Sequence, residues 1–428
     1  MNDNTVSPNP QEDIPSPFAG REDALAKLHH FLASSARSSA FTFLGRRRIG
    51  KTSLLQHFAQ DESSTFIAVY FPLKDILLRN EQHWLRALSQ SLLDTLNTHG
   101  YVIDDSNEPP YDDAKLSIWF SEECLPKVFS TIRHQCQLVL LIDDVDAFLR
   151  AATALDEQFQ SSVDILDYLH YLLHPQLSIV VTIDLSYENE LGKFRQLVNR
   201  EHLYRLSRLS PDETAKAINQ YIFKQLHADA VTTIYRETGG EPAFIHHFGN
   251  ILAGVTEDVV ITEEYVKRIL PDAYSACKQD VIPIATSITH NEPWVLNGIS
   301  NLLYSHPLRP VDTLSLERWL VQTDRPLDTT TINSAFRSLE YADLVKGTTS
   351  DMQIAAGVIH KWTLEMYRPN QSQIIELPTE EPPISRRAIV VVLLVIILVV
   401  LSIISLSGTT NNATTNTPIP TAPLSTEK

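Results

Sequence analysis

Apolar positions along the chain alternate between two rhythms. Short unbroken apolar runs stand at 39–44 (SAFTFL), 64–73 (STFIAVYFPL), 137–144 (QLVLLIDD), 177–184 (LSIVVTID) and 202–207 (HLYRLS). Between them lie stretches with apolar residues at three- and four-residue steps, such as EQHWLRALSQSLLDTLNTHG and the span 116–135. The first rhythm predicts buried strands and the second predicts amphipathic helices. Strands without a polar face, separated by helices, predict an α/β fold with a parallel sheet covered by helices on both faces. The polar, acidic stretch 102–115 reads as a loop. After Ser210 the pattern turns helical, opening on Ser-Pro-Asp-Glu, a helix start. A small helical region runs to about residue 270. Short helices follow from about residue 282, and LVKGTTSDMQIAAG near the end predicts a β-hairpin.

The two ends differ from this body. Residues 1–15 are polar and proline-rich, with no apolar core to make a signal peptide, and read as a disordered lead-in. Residues 388–406 (AIVVVLLVIILVVLSIISL) are nineteen residues without a charge. As a helix they would span about 28 Å, close to the hydrocarbon thickness of a bilayer. Arg386 and Arg387 immediately precede them. The expectation is a single membrane span with the large N-terminal part in the cytoplasm. A Pro- and Glu-rich linker (369–387) leads into it, and a Thr/Asn/Pro tail (407–428) follows. The folded part is thus expected at 16–368, divided into a core at 16–209, a helical lid at 210–270 and a third region at 271–368.

Composition narrows the partners. There are 52 acidic against 35 basic side chains, a formal net charge of −17, which disfavours non-specific attraction to nucleic acid. Only three cysteines are present, none with metal-ligand spacing, so reduced buried thiols are expected.

The chemistry concentrates in two places. Gly45-Arg-Arg-Arg-Ile49-Gly50-Lys51-Thr52-Ser53 matches G-x-x-x-x-G-K-[ST] between a strand and a helix. Its backbone N–H groups and helix N-terminus suit phosphate oxygens. Lys51 suits the β- and γ-phosphates, and the Thr52 hydroxyl suits Mg²⁺. LVLLIDDVD then brings Asp143 to the carboxyl end of a buried strand as the Mg²⁺ ligand. Asp144 stands where a water-activating carboxylate is expected; Asp is one methylene shorter than Glu, which predicts slow hydrolysis. Arg46, Arg47 and Arg48 could reach phosphate or a neighbouring subunit, but read rather as loop side chains in solvent or paired to surface acids.

These motifs resemble those of P-loop ATPases of the STAND/AAA+ type, close to bacterial and archaeal ATPases with a GRRRIGKTSLL loop. FAGRE (Phe18–Glu22, with Gly20 and Arg21) is similar to the family's leading motif near the adenine. GRRRIGKTS is its phosphate loop, LLIDDVD its acidic strand, and GGEP (Gly239–Pro242) its lid motif, whose proline lies against the nucleotide. The resemblance covers about 16–270. It implies ATP as ligand, in keeping with the lack of a guanine-reading N-K-x-D, and a sensor residue at the end of LSIVVTID, for which Thr182 is the candidate. It also implies that Arg195 or Arg200 senses the γ-phosphate and that the chain self-associates. His246 and His247 read as packing or surface residues.

Residues 271–368 resemble a winged-helix domain, with TTINSAFRSLEYADLVKG as its third helix and first wing strand. Between 283 and 368 there are seven Arg/Lys and nine Asp/Glu. That balance suits a protein contact better than DNA readout. The resulting expectation is a membrane-anchored signalling ATPase with an unknown protein partner. The alternatives are a membrane-tethered DNA-binding ATPase of the origin-recognition type and a nucleotide-stabilised scaffold.

Overall fold

The computed structural model describes residues 18–367, apart from 34–38, 61–64, 74–83, 104–108, 111–114, 133–135, 148–166, 195–196, 223–224, 255–259, 286–287 and 289. The expected lead-in, linker, membrane span and tail all lie outside the described residues. Among the described residues no helix is long and apolar enough to cross a membrane.

A five-stranded parallel sheet in the order β2-β3-β4-β1-β5 organises the core. Its strands are β1 (Ala40–Gly45), β2 (Phe66–Pro72), β3 (Gln137–Asp143), β4 (Leu177–Asp184) and β5 (Val198–Arg205). Strand parity divides the apolar runs between two cores. Leu138, Leu140 and Ile142 of β3 pack on one face with Leu88, Leu92 and Leu96 of α3 (Trp84–Thr98). Val139 and Leu141 pack on the other with α1 (Glu22–Ala33) and with Leu54, Leu55 and Phe58 of α2 (Lys51–Ala59). The span expected as one helix at 116–135 is α4 (Leu116–Trp119), a π-turn (Phe120–Cys124) and α5 (Leu125–Ile132) in succession.

The register sets the site. Gly45 at the end of β1 lies opposite Asp184 of β4. Ile142 pairs with Val181, which brings Asp143 beside Thr182. The carboxyl ends of β1, β4 and β3 therefore present the phosphate loop, Asp184 and Asp143 side by side, where open α/β sheets bind ligands.

Beyond β5 come α6 (Pro211–Tyr221), α7 (Ala228–Thr238) and α8 (Pro242–Ala253). Helix α6 starts as its sequence predicts. Ser210 and Glu213 form a reciprocal capping box that satisfies two of the helix's free N–H groups. Helix α9 (Glu263–Ala285) then runs unbroken through residue 270, where the sequence reading placed a boundary. The remainder is α10 (Glu292–Ser305), α11 (Thr313–Gln322), α12 (Thr329–Tyr341), the antiparallel hairpin β6 (Val345–Thr348) and β7 (Asp351–Ile354), and α13 (Gly357–Met366). The hairpin falls where the sequence predicts it.

Candidate nucleotide site

Local backbone geometry shapes the phosphate loop. Gly50 sits at φ 94° just before α2, a left-handed conformation that a side chain would strain. Arg48 also has positive φ, at 68°. The loop curls around the first turn of α2. Lys51, buried beneath it, donates to the carbonyls of Gly45 (2.7 Å) and Arg46 (3.1 Å), and its ammonium lies 3.6 Å from Asp184 Oδ2. A cavity of about 540 Å³ opens here, lined by Arg47, Arg48, Lys51, Thr52, Asp144 and Asp184, with Gly50 and Ser53.

The acidic strand meets this loop directly. Thr52 donates to Asp143 Oδ2 at 2.6 Å, and the Tyr70 hydroxyl reaches the same oxygen at 3.2 Å. A hydroxyl and a carboxylate in contact are the hard oxygen donors that Mg²⁺ prefers, with phosphate and water completing its shell. Thr52 and Asp143 thus fit a Mg²⁺ ion. No cluster of three or more His, Cys, Asp or Glu suited to a metal occurs among the described residues.

Thr182 does not line the phosphate cavity; it is fully buried. Its hydroxyl donates to Asp143 Oδ1 and accepts the Asp144 N–H at 2.7 Å, so it orients the acidic strand end. Asp144 is held at φ 55° by that bond and another to Asp143, which turns it toward the cavity. The side chain that reaches the cavity from β4 is Asp184, two residues on. Asp184 Oδ1 is pinned by the Ser186 N–H and hydroxyl, at 3.0 and 2.7 Å, and its own N–H donates to buried Asp146 at 2.9 Å. Of the two candidate sensing arginines, Arg195 lies outside the described residues. Arg200 is exposed near the amino end of β5, the end of the sheet away from the phosphate loop.

A smaller cavity of about 70 Å³ lies between Phe18, Ile49, Leu209, Tyr221, Pro242 and Ile245, with Arg21 and Ser53 at its edge. It brings Pro242 of the lid opposite the leading motif. Arg21, at φ 68°, sends its guanidinium to the carbonyls of Ser207 and Ile49, the latter at 2.7 Å. Its N–H donates to Glu213 at 2.9 Å. Burial lowers its pKa, with Glu213 opposing. Arg21 thus clamps the phosphate loop to the start of the lid. Gly20, at φ 77°, lies against the Glu213 side chain.

The three loop arginines are not alike. Arg46 is largely buried and bridges two distant carboxylates, Glu241 of the lid (2.7 Å) and Asp343 just past α12 (2.7 Å). Burial acts to lower its pKa, but Glu241 and Asp343 outweigh it and raise the value. Arg208 joins the cluster, 3.5 Å from Glu241 and bonded to the Asp343 carbonyl. Burial lowers its pKa despite Glu241, and the Arg46 charge adds to the effect. Arg48 pairs with Asp280 of α9, which also holds His247 at 2.6 Å. Arg47 and Arg48 are exposed, Arg48 paired with Asp280, as expected of loop side chains in solvent or paired to acids; Arg46, largely buried, departs from that expectation. His246 packs against Tyr221, whose hydroxyl lies 2.7 Å from Nδ1. Tyr341 at the end of α12 bonds Glu188, and the Arg205 guanidinium lies 5.0 Å from its ring centre. Sequence reasoning missed Asp184, Arg208, Glu241 and Asp343. Of these, Glu241 lies within the GGEP motif and Asp184 ends LSIVVTID, whereas Arg208 and Asp343 carried no local signal.

Comparison with known proteins bears on the family and the fold. Residues 18–248, more than half of the chain, match the family described as an ATPase domain predominantly from Archaea. No curated protein matches the sequence. Among solved structures, the Walker-type ATPase of Pyrococcus abyssi superposes with a TM-score of 0.55 at 14% identity, covering 81% of this chain and 96% of that one. The Aeropyrum pernix ORC2 protein, solved as ADPNP-ADP complexes, gives 0.49 at 14% identity over 83% and 97%. The chain belongs to the archaeal-type ATPase family and contains a P-loop ATPase domain.

Proposed function

We propose that this ATPase-family member is a regulatory switch of the STAND/AAA+ type, membrane-anchored through residues 388–406, in which nucleotide at the phosphate loop controls the lid and the C-terminal region. The observation that carries the reading is Arg46. One loop residue holds both Glu241 of the lid and Asp343 beyond α12. Any ligand that reorders the loop therefore acts on both partners at once, which is the differential contact a two-state switch requires.

The chemistry follows from the same residues. For Lys51 to reach ATP phosphates it must release the Gly45 and Arg46 carbonyls, which disturbs the residue that carries the bridge. Mg²⁺, held by Thr52 and Asp143, would neutralise charge on the phosphates. Asp144 and Asp184 both face the cavity and are the carboxylates available to orient water. The base would sit against Pro242. The cavity there, about 70 Å³, falls far below the several hundred Å³ of ordinary ligand sites. Admitting a base thus requires α8 to move outward, which pulls on Glu241 at its start.

Helices α10–α12 followed by the β6–β7 hairpin have the order of a winged helix, and we assign this region a protein-contacting or autoinhibitory role. ATP would open the Arg46 bridge, and slow hydrolysis would restore it. The test uses the full-length chain in nanodiscs. Hydrogen exchange and sedimentation are compared with ADP and with a non-hydrolysable ATP analogue. Faster exchange in α12 and the hairpin with the analogue supports the switch; identical profiles and assembly states refute it.

A further inference from the structure

A second cavity of about 510 Å³ lies between α9 and α13, outside the nucleotide site. Lys267, Lys278 and Lys361 line it against a single acid, Glu365. In a chain of net charge −17 this local excess of cations runs against the general balance. Among the described residues, Lys267 and Lys361 each pair only with a carboxylate on their own helix, Glu263 at 2.8 Å and Glu365 at 3.4 Å. Both pairs are solvent-exposed and so contribute little. Lys278 has no ion pair among the described residues.

The wall beneath the lysines is apolar, built from Leu270, Val281, Val358 and Trp362. Trp362 is 4% exposed, and its indole N–H is buried without an acceptor among the described residues. A buried indole N–H ordinarily finds a partner, because leaving it unmet costs free energy. The volume is within the range of small-molecule sites. A neighbouring wall residue, Tyr274, donates to Glu237 of α7 at 2.8 Å, so the cavity is braced against the lid.

We propose that this cavity binds an anionic amphiphile, a phosphate or carboxylate head on an apolar body. The lysines take the head, the Trp362 N–H donates to one of its oxygens, and Leu270, Val281 and Val358 receive the body. Such chemistry belongs equally to an anionic lipid and to a soluble phosphate ester. The proposal does not depend on the ATPase reading, since none of these residues lines the phosphate cavity.

The test uses the full-length chain in phosphatidylcholine nanodiscs. Hexyl phosphate is titrated calorimetrically, with inorganic phosphate as the control for the head alone. Hexyl phosphate should bind at least about tenfold more tightly than inorganic phosphate. Lys278→Ala with Lys361→Ala should weaken it at least about tenfold, and Trp362→Phe several-fold. Melting temperature should stay unchanged in the lysine variant and fall modestly in Trp362→Phe, while binding of an ATP analogue stays unchanged in both. A surface control, Lys27→Ala with Lys127→Ala, should leave affinity within about twofold. In the second arm, discs containing phosphatidylglycerol are compared by hydrogen exchange. Protection of α9 and α13 in wild type, absent in the lysine variant, identifies a membrane lipid as the source. Binding of hexyl phosphate without that protection identifies a soluble one. The proposal is overturned if neither ligand binds, if inorganic phosphate binds as well as hexyl phosphate, or if the surface control loses as much affinity as the cavity variant.

Discussion

Replacing Arg46 by Ala tests the bridge most directly. The Arg46 and Glu241 side chains are 11% and 1% exposed, so their pair is buried. Removing one partner of a buried pair costs about 3–5 kcal/mol, because the other charge is left desolvated. Two features of the site reduce this figure. Arg208 remains 3.5 Å from Glu241 and keeps part of the neutralisation. Asp343 is 39% exposed, so its share of the bridge is screened by water and is at most about 1 kcal/mol. The expected loss is about 2–4 kcal/mol in the docking of α8 on the phosphate loop, of which at most about 1 kcal/mol, roughly fivefold, falls on the C-terminal region through Asp343. Hydrogen exchange should accelerate roughly 30- to 1000-fold at the start of α8 and up to about fivefold in α12 and the β6–β7 hairpin, while the sheet core is unaffected. A double-mutant cycle with Glu241→Gln should return a coupling of at least about 1.5 kcal/mol. A coupling below about 0.5 kcal/mol, together with unchanged exchange at the start of α8 and in α12, would refute the idea that Arg46 ties α8 and the C-terminal region to the loop.

Four further outcomes follow from the same geometry. Lys51→Ala should abolish ATP binding, whereas Asp143→Asn should retain some binding but lose Mg²⁺-dependent turnover by at least about 100-fold, read by phosphate release. Thr182→Val removes the donor to Asp143 and the acceptor for Asp144, and should cost about 1–3 kcal/mol in denaturant unfolding while slowing turnover. Gly240→Ala should destabilise the lid by more than about 2 kcal/mol, since Gly240 sits at φ 75° and a Cβ there would overlap the Leu209 carbonyl oxygen. Burial acts to raise the Glu213 pKa, but bonds from Ser210 and Arg21 outweigh it and lower the value below 4.5. Its contribution is therefore complete at neutral pH and is lost as pH falls through that depressed value. The melting-temperature deficit of Glu213→Gln should accordingly be present at pH 7 and vanish in strong acid.

The parallel sheet and the two halves of the phosphate site were legible because each is local. A continuous apolar run ending in Asp143, and two glycines at fixed spacing ahead of Lys51, leave little choice of conformation. The capping box at Ser210 was legible for the same reason. Thr182 illustrates the limit. Both Thr182 and Asp184 occupy the same face of β4 by strand parity, and spacing does not say which clears the end of the sheet. Register decides it, because Gly45 pairs with Asp184 and Asp143 stands beside Thr182. Register depends on which strand inserts between β1 and β3, a fact carried by no single segment.

The three arginines carry this argument to function. Consecutive in sequence and alike in chemistry, they read as one solvated group. The left-handed turn at Arg48 splits them, so that Arg46 goes inward and Arg48 toward α9. The partners of Arg46 are Glu241 and Asp343, far along the chain, and neither pairing has a sequence signature. A P-loop NTPase can bind phosphate with the glycines, Lys51 and Thr52 alone; Arg46 adds nothing to that task while it is occupied by two carboxylates. Its largely buried side chain instead contacts Glu241 and Asp343 together, and the proposed switch treats loop shape and docking of the C-terminal region as one equilibrium. Asp184 makes the reciprocal link, because it touches Lys51 on one side and leads into the segment from Leu185 to Glu188 that Tyr341 contacts on the other. Two independent connections between loop and C-terminal region imply that Arg46→Ala alone releases α12 only in part. Combining it with Tyr341→Phe should release α12 further than either single change, the two free-energy effects adding to within about 0.5 kcal/mol, as read by hydrogen exchange.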